Sequence, residues 1–189
     1  MTARWVVDEV KDQRDLQITW QPFSLLLKNQ PTEGTPYYDG VLQTYKMLRV
    51  MESVRATEGN DGVFALYWEL GARIHHDKDR DFDIANALEA AGLPATHAEA
   101  FEDERFDTEI RSRHDAGLAL TGDDVGTPII AMGTPGGRQG IFGPVITAVP
   151  NSEDSLRLWD GMVAMMSVDG FWELKRTRTR RPEFPARPE

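Results

Sequence analysis

Gly126-Thr127-Pro128-Ile129-Ile130-Ala131-Met132 is followed by Gly133-Thr134-Pro135-Gly136-Gly137 and then by Ile141-Phe142-Gly143-Pro144. An apolar run, a turn rich in glycine and proline, and a second apolar run predict a β-hairpin. Pro128 heads the first strand, where a missing N–H costs no central ladder bond. A trans proline opening an edge strand fits this position. A cis bond also fits, and it would turn the chain and expose the backbone of Thr127.

Upstream, the pattern is helical. Tyr38, Val41, Leu42, Tyr45, Leu48 and Glu52 recur at helical spacing, thickened by Met51. Gly59-Asn60-Asp61-Gly62 predicts a break, and Val63, Phe64, Leu66, Tyr67, Leu70 and Ile74 make the next stripe. Asp83 is placed to cap a short helix that Gly92 would close, and Pro94 suits the first turn of another. Phe106, Ile110 and Leu118 mark a last helix, ending near Thr121-Gly122. Before this block, Leu16, Ile18 and Trp20 alternate with Gln17, Thr19 and Gln21, which predicts a strand over residues 17–23. Trp5, Val6 and Val10 predict an opening helix. Ser152 is placed to cap a closing one that carries Leu156, Trp159, Met162, Val163 and Met166. The order helix, strand, helical block, hairpin, helix reads as α/β with a large helical insertion and a sheet of three strands. Residues 176–189 read as an extended basic tail.

Composition narrows the function classes. The 189 residues carry a formal net charge of -10, which repels phosphate backbones and argues against nucleic acid as partner. No apolar stretch reaches the ~18 residues of a membrane span. Met1-Thr2-Ala3-Arg4-Trp5 has a charge but no apolar run behind it, unlike a signal peptide. A cytoplasmic protein without a membrane partner is therefore expected. The sequence holds no cysteine, so none of its own side chains supplies a thiolate.

Other candidate constellations are weak. His75-His76 precede Asp77, Asp79, Asp81 and Asp83, but the glycine and terminal glutamate of a calcium loop are out of register. A solvated acidic loop explains the run without a metal, and no metal ligand is assigned. No Gly-x-Ser-x-Gly elbow supports a Ser/His/Asp triad, and His97 and His114 read as surface or core-edge residues. Tyr37, Tyr38, Tyr45, Phe64, Tyr67 and Trp68 could line a pocket, and a helical core predicts the same residues. The tail cations Lys175, Arg176, Arg178, Arg180 and Arg181 read as solvated, or as lying against the acidic body.

Three segments together resemble the DsbA-like, mycothiol-dependent nitroreductase group of actinobacteria. They are Thr2-Ala3-Arg4-Trp5-Val6, then Gly122-Asp123-Asp124-Val125-Gly126-Thr127-Pro128 with Phe142-Gly143-Pro144, and Leu158-Trp159-Asp160 with Glu173-Leu174-Lys175-Arg176-Thr177-Arg178-Thr179. Arg73-Ile74-His75 and Ala91-Gly92-Leu93-Pro94 match as well. The resemblance implies a thioredoxin-like (DsbA-like) fold, with residues 1–36 and 122–175 forming the thioredoxin-like part and 37–121 the insertion. It implies a thiol-disulfide oxidoreductase using mycothiol as co-substrate, with no bound cofactor. A small-molecule thiol or electrophile is the implied partner, and a homodimer is compatible with it. The cis-proline of the family maps onto Pro128, preceded by Thr127, and its Arg-Trp maps onto Arg4-Trp5. Thr127, Pro128 and Trp5 are thus the implied substrate-binding residues.

The family's first strand and Cys-Pro-x-x motif have no counterpart among these residues, so no catalytic residue carries over. The expectation is an N-terminally truncated oxidoreductase whose reading frame opens upstream of Met1. The competing expectation is a cysteine-less, redox-inactive binding protein of thioredoxin-like build. A third is an enzyme similar to kappa-class glutathione transferases, which use a serine at the start of the first helix; Thr2 is the nearest hydroxyl here.

Overall fold

The computed structural model describes residues 1–134, 136–184 and 187. Pro135, in the expected hairpin turn, and Pro185, Ala186, Pro188 and Glu189, in the expected tail, lie outside the described residues. The fold is mixed α/β and mostly helical, with a sheet of two strands where three were expected. The chain divides into two units, and the division falls after Ala116, inside one helix.

The first unit comprises Met1–Ile18 and Gly117–Phe184. It opens with α1, Thr2–Trp5, which loosens into a π-helical turn over Val6–Val10. There the N–H of Lys11 reaches the carbonyl of Val6 at 2.8 Å, an i→i+5 bond. This wider turn brings Trp5 and Val10, five residues apart, into one core, both fully buried. Strands β1, Ile129–Thr134, and β2, Gly137–Phe142, pair antiparallel, with Ile130 opposite Ile141. Their predicted hairpin is the one regular sheet among the described residues. Helix α6, Ser152–Met166, buries Ser155, Trp159, Met162 and Met166, a stripe at helical spacing. Asn151, not Ser152, is its cap, with Oδ1 accepting from the Asp154 N–H at 2.9 Å. Ser152 is instead the first helical residue, and its hydroxyl donates to Glu9 at 2.6 Å. Trp5 and Trp159 centre the core with ring centroids 5.9 Å apart, and Ile130, Met132 and Ile141 pack against them. Gly140 lets the sheet approach Leu120, because a Cβ there would lie 2.7 Å from the Leu120 Cβ.

The second unit is Thr19–Ala116, joined by Arg187. Helix α2, Leu25–Asn29, is capped by Ser24, and α3, Pro36–Gly71, by Thr35 with Pro36 in its first turn. The predicted break falls at Gly59, whose φ of 68° lies in the left-handed region that favours glycine. Helix α4, Ile84–Ala90, is capped by Asp83, whose Oδ1 accepts from the N–H groups of Ala85 and Asn86. Two 3₁₀ turns, Ala95–Glu102 and Glu104–Phe106, lead into α5, Asp107–Thr121. The core is built from Met47, Val50, Val54, Val63, Leu66, Leu70, Ala87 and Leu88. Val41, Tyr45 and Glu52 of the predicted stripe are buried and Leu42 and Leu48 half-buried, while Met47, Val50 and Val54 widen the buried face of α3. Two charged residues share the burial. Arg49 holds Asp107 through two bonds of 2.6 and 2.8 Å, and Glu52 sits against Arg55 and Arg113 at 3.1 and 3.3 Å.

The strand expected over residues 17–23 is not formed. Its alternation of half-buried and exposed residues is present, but the backbone groups of Trp20 at its centre bond to side chains. The Trp20 N–H donates to Asn60 Oδ1 at 2.9 Å, and the Trp20 carbonyl accepts from Arg55 at 2.8 Å. An extended segment whose polar groups are satisfied this way keeps the period of a strand without a ladder.

Candidate functional site

The site implied by the sequence lies at the base of the hairpin. Pro128 precedes β1, and the Thr127–Pro128 peptide bond is cis. The Pro128 carbonyl accepts from the Gly143 N–H at 2.8 Å, which closes the hairpin base. Gly143 has a φ of 100° and is joined to Pro144 by a second cis bond. The Pro144 carbonyl in turn accepts from the Thr2 hydroxyl at 2.8 Å. These bonds run in one line, from Pro128 to Gly143, across to Pro144, and on to Thr2. They fasten the start of α1 to the loop that carries the cis-proline.

The three implied substrate-binding residues are placed differently. Thr127 is exposed and Pro128 half-buried. Among the described residues Thr127 has no hydrogen-bond partner. Trp5 is fully buried, with its indole N–H donating to the Ser155 carbonyl at 3.3 Å and its ring against Trp159. Trp5 is a core residue that supports α1 from beneath, and its ring offers no exposed surface.

This loop offers main-chain and hydroxyl groups, not an acid–base pair. Thr2, the hydroxyl nearest the helix start, is 8% exposed and its proton is committed to Pro144. No cysteine exists anywhere in the sequence to act as nucleophile. Among the described residues this loop therefore carries no nucleophile or acid–base pair of its own.

The other residues singled out from sequence lie elsewhere. His114 is 2% exposed, and its Nδ1 accepts from the Ser24 N–H at 3.3 Å while Phe23 packs edge-on at 4.7 Å. Burial holds its pKa below the ordinary histidine value. Among the described residues no group of three His, Asp or Glu side chains is placed to hold a metal. Asp79 and Asp83 of the acidic run bind backbone N–H groups of their own turns. Trp20 stacks on Phe64 at 5.6 Å, and Phe64 meets Trp68 at 5.1 Å, so several of the insertion's aromatics pack on one another. Tyr37 and Tyr67 remain exposed. Of the tail, Arg187 pairs with Glu69 and Asp77, while Lys175 to Arg181 are exposed. No helix among the described residues is long and apolar enough to cross a membrane.

Residues 1–176 match a family model described as Rv2466c-like, mycothiol-dependent nitroreductase Rv2466c. The match takes in both cis-prolines, Thr2, Thr127 and the whole helical block, and the chain belongs to the Rv2466c-like family of mycothiol-dependent nitroreductases.

Proposed function

We propose that this chain serves mycothiol-dependent thiol-disulfide redox chemistry as its positioning part. The reactive thiolate comes from outside these 189 residues, which hold no cysteine. Mycothiol is the co-substrate, and an electrophilic small molecule is the acceptor. Residues 1–36 and 122–175 form the thioredoxin-like part, and 37–121 are the insertion. The observation that supports this reading is the line of bonds from Pro128 through Gly143 and Pro144 to Thr2, which ties the loop after the exposed Thr127 to the start of α1. An extended ligand lying along Thr127 would pair with its N–H and carbonyl, as a strand pairs with an edge.

The test is to titrate the purified chain with mycothiol and follow backbone amide shifts. Saturable shifts at Thr127 and Ile129, with no mycothiol-dependent reduction of a nitro compound, are expected. Absence of any shift at the loop overturns the binding role. Turnover by the chain alone overturns the external thiolate.

A redox-inactive binding protein of the same build is the second reading, and the absence of cysteine favours it. Thiol-dependent turnover restored by an added thiolate-bearing segment would separate the two. The kappa-class alternative needs a hydroxyl at the helix start that faces a thiol. The Thr2 hydroxyl is buried and bonded to Pro144, which gives that alternative no support.

A further inference from the structure

Ser53 and Thr57 stand four residues apart on α3, hence on one face of the helix. His97, from the 3₁₀ turn Ala95–Glu102, binds both. Its Nδ1 lies 2.8 Å from Ser53 Oγ, and its Nε2 lies 3.3 Å from Thr57 Oγ1. The direction of each bond follows from proton counting. The Thr57 hydroxyl donates to Glu58 Oε1 at 3.2 Å, so its single proton is committed and its oxygen accepts from His97. His97 Nε2 therefore carries the ring proton, and Nδ1 keeps its lone pair. In this tautomer, the one that satisfies all three bonds, Ser53 donates to that lone pair.

The bonds run one way, from Ser53 to His97 to Thr57 to Glu58. The His97 side chain is 9% exposed, which shields it from competing water. Glu58 Oε1 also lies 4.0 Å from Nε2, near the charge an imidazolium would carry. Ser53 lines an open cleft of about 420 Å³ with Thr96, Glu99, Asp103, Arg105 and Phe106. Arg105 is occupied by Asp103, at 2.5 Å, so the lining is net acidic toward a ligand. A hydroxyl bonded to a buried base, a third group orienting that base and an adjoining cleft form a nucleophile's setting.

We propose that Ser53 is an activated nucleophile and that this cleft is an acyl-transfer site for small uncharged or cationic esters. In the first step Ser53 Oγ bonds to the acyl carbon, its proton passes to His97 Nδ1, and the alcohol leaves with that proton. In the second step water attacks the acyl-serine and gives its proton to Nδ1. Nδ1 returns that proton to Ser53 Oγ as the carboxylic acid departs. His97 is the base, and Thr57 and Glu58 are positioning residues. The acidic lining repels carboxylate-bearing acyl donors.

The probe is p-nitrophenyl acetate on the full chain, with the acetylated residue located by peptide mass spectrometry. No thiol competes, because the sequence has no cysteine. Acetyl on Ser53 is expected, together with release of nitrophenol. Ser53→Ala should remove that label, and His97→Gln should slow its formation by about 100-fold, in the range of general-base effects. His97→Gly should regain labelling with added imidazole, a rescue that a packing role would not give. Glu58 is exposed, so Glu58→Gln keeps the fold if His97 variants lose it, and it should slow labelling by roughly tenfold through the lost charge. Acetyl confined to lysines or tyrosines overturns the proposal. So does Ser53 labelling at an unchanged rate in Glu58→Gln.

Discussion

The two units satisfy their buried polar groups by different means. In the first, the partners are main-chain carbonyls: Thr2 donates to Pro144, the Trp5 indole to Ser155, and the Ser155 hydroxyl to Pro150. In the second they are charges and imidazoles: Arg49 with Asp107, Glu52 with Arg55 and Arg113, and His114 with Ser24. Burial and the nearby Asp107 carboxylate push the Tyr45 phenol up to about 12. A region sewn by neutral bonds responds to cavities. A region sewn by charges also responds to protons and to the loss of one partner.

The largest expected effect tests the first region. Trp159→Ala removes the ring facing Trp5 and should cost about 3–5 kcal/mol in urea unfolding. A loss below about 1 kcal/mol, the size of a surface change, would mean the core is not centred there. Next comes the second region. Asp107→Ala removes the main partner of the Arg49 guanidinium, 7% exposed, leaving it Glu104 at 3.9 Å and the Phe101 carbonyl at 3.5 Å, and should cost about 2 kcal/mol. The double change Arg49→Met with Asp107→Leu should recover most of that loss. The Tyr45 phenol should titrate lower in Asp107→Ala, read by ultraviolet absorbance.

Acidity should separate the regions further. The His114 pKa is lowered in the folded state, so the unfolded chain takes up a proton first as pH falls. The stability His114 contributes is intact above the ordinary histidine value of about 6.5 and is lost as pH drops below it. His114→Gln should flatten that part of the stability–pH curve measured by thermal melts. An unchanged slope would remove His114 as its cause. The smallest effect compares caps: Asp83→Ala in one unit and Asn151→Ala in the other should each cost about 1 kcal/mol.

Local chemistry was readable where neighbours in sequence decide it. The hairpin around residues 129–142, the Gly59 break and the Asp83 cap each depend on residues within a few positions. Residues 17–23 show the limit, since their alternation says which side chains face inward but not what binds the backbone. Asn60 and Arg55 bind it, and they lie tens of residues away. The cis bond at Thr127–Pro128 was expected only through the family resemblance, which also placed Trp5 at a substrate, whereas Trp5 is buried in the core. Ser53 and His97 carry no local signature because 44 residues separate them. Only the packing of a 3₁₀ turn on α3 brings them together.

The π-helical turn at Val6–Val10 sets a rule for the numbering of this segment. An α-helix returns to the same face after three or four residues, whereas Trp5 and Val10 meet after five. The segment therefore counts one residue more than a regular helix would need. Deleting one position between them would let the coil tighten to the ordinary pitch and put Val10 four positions after Trp5, still on its face. A relative with a one-residue gap at this point would therefore run a regular helix here and keep the same two positions in its core.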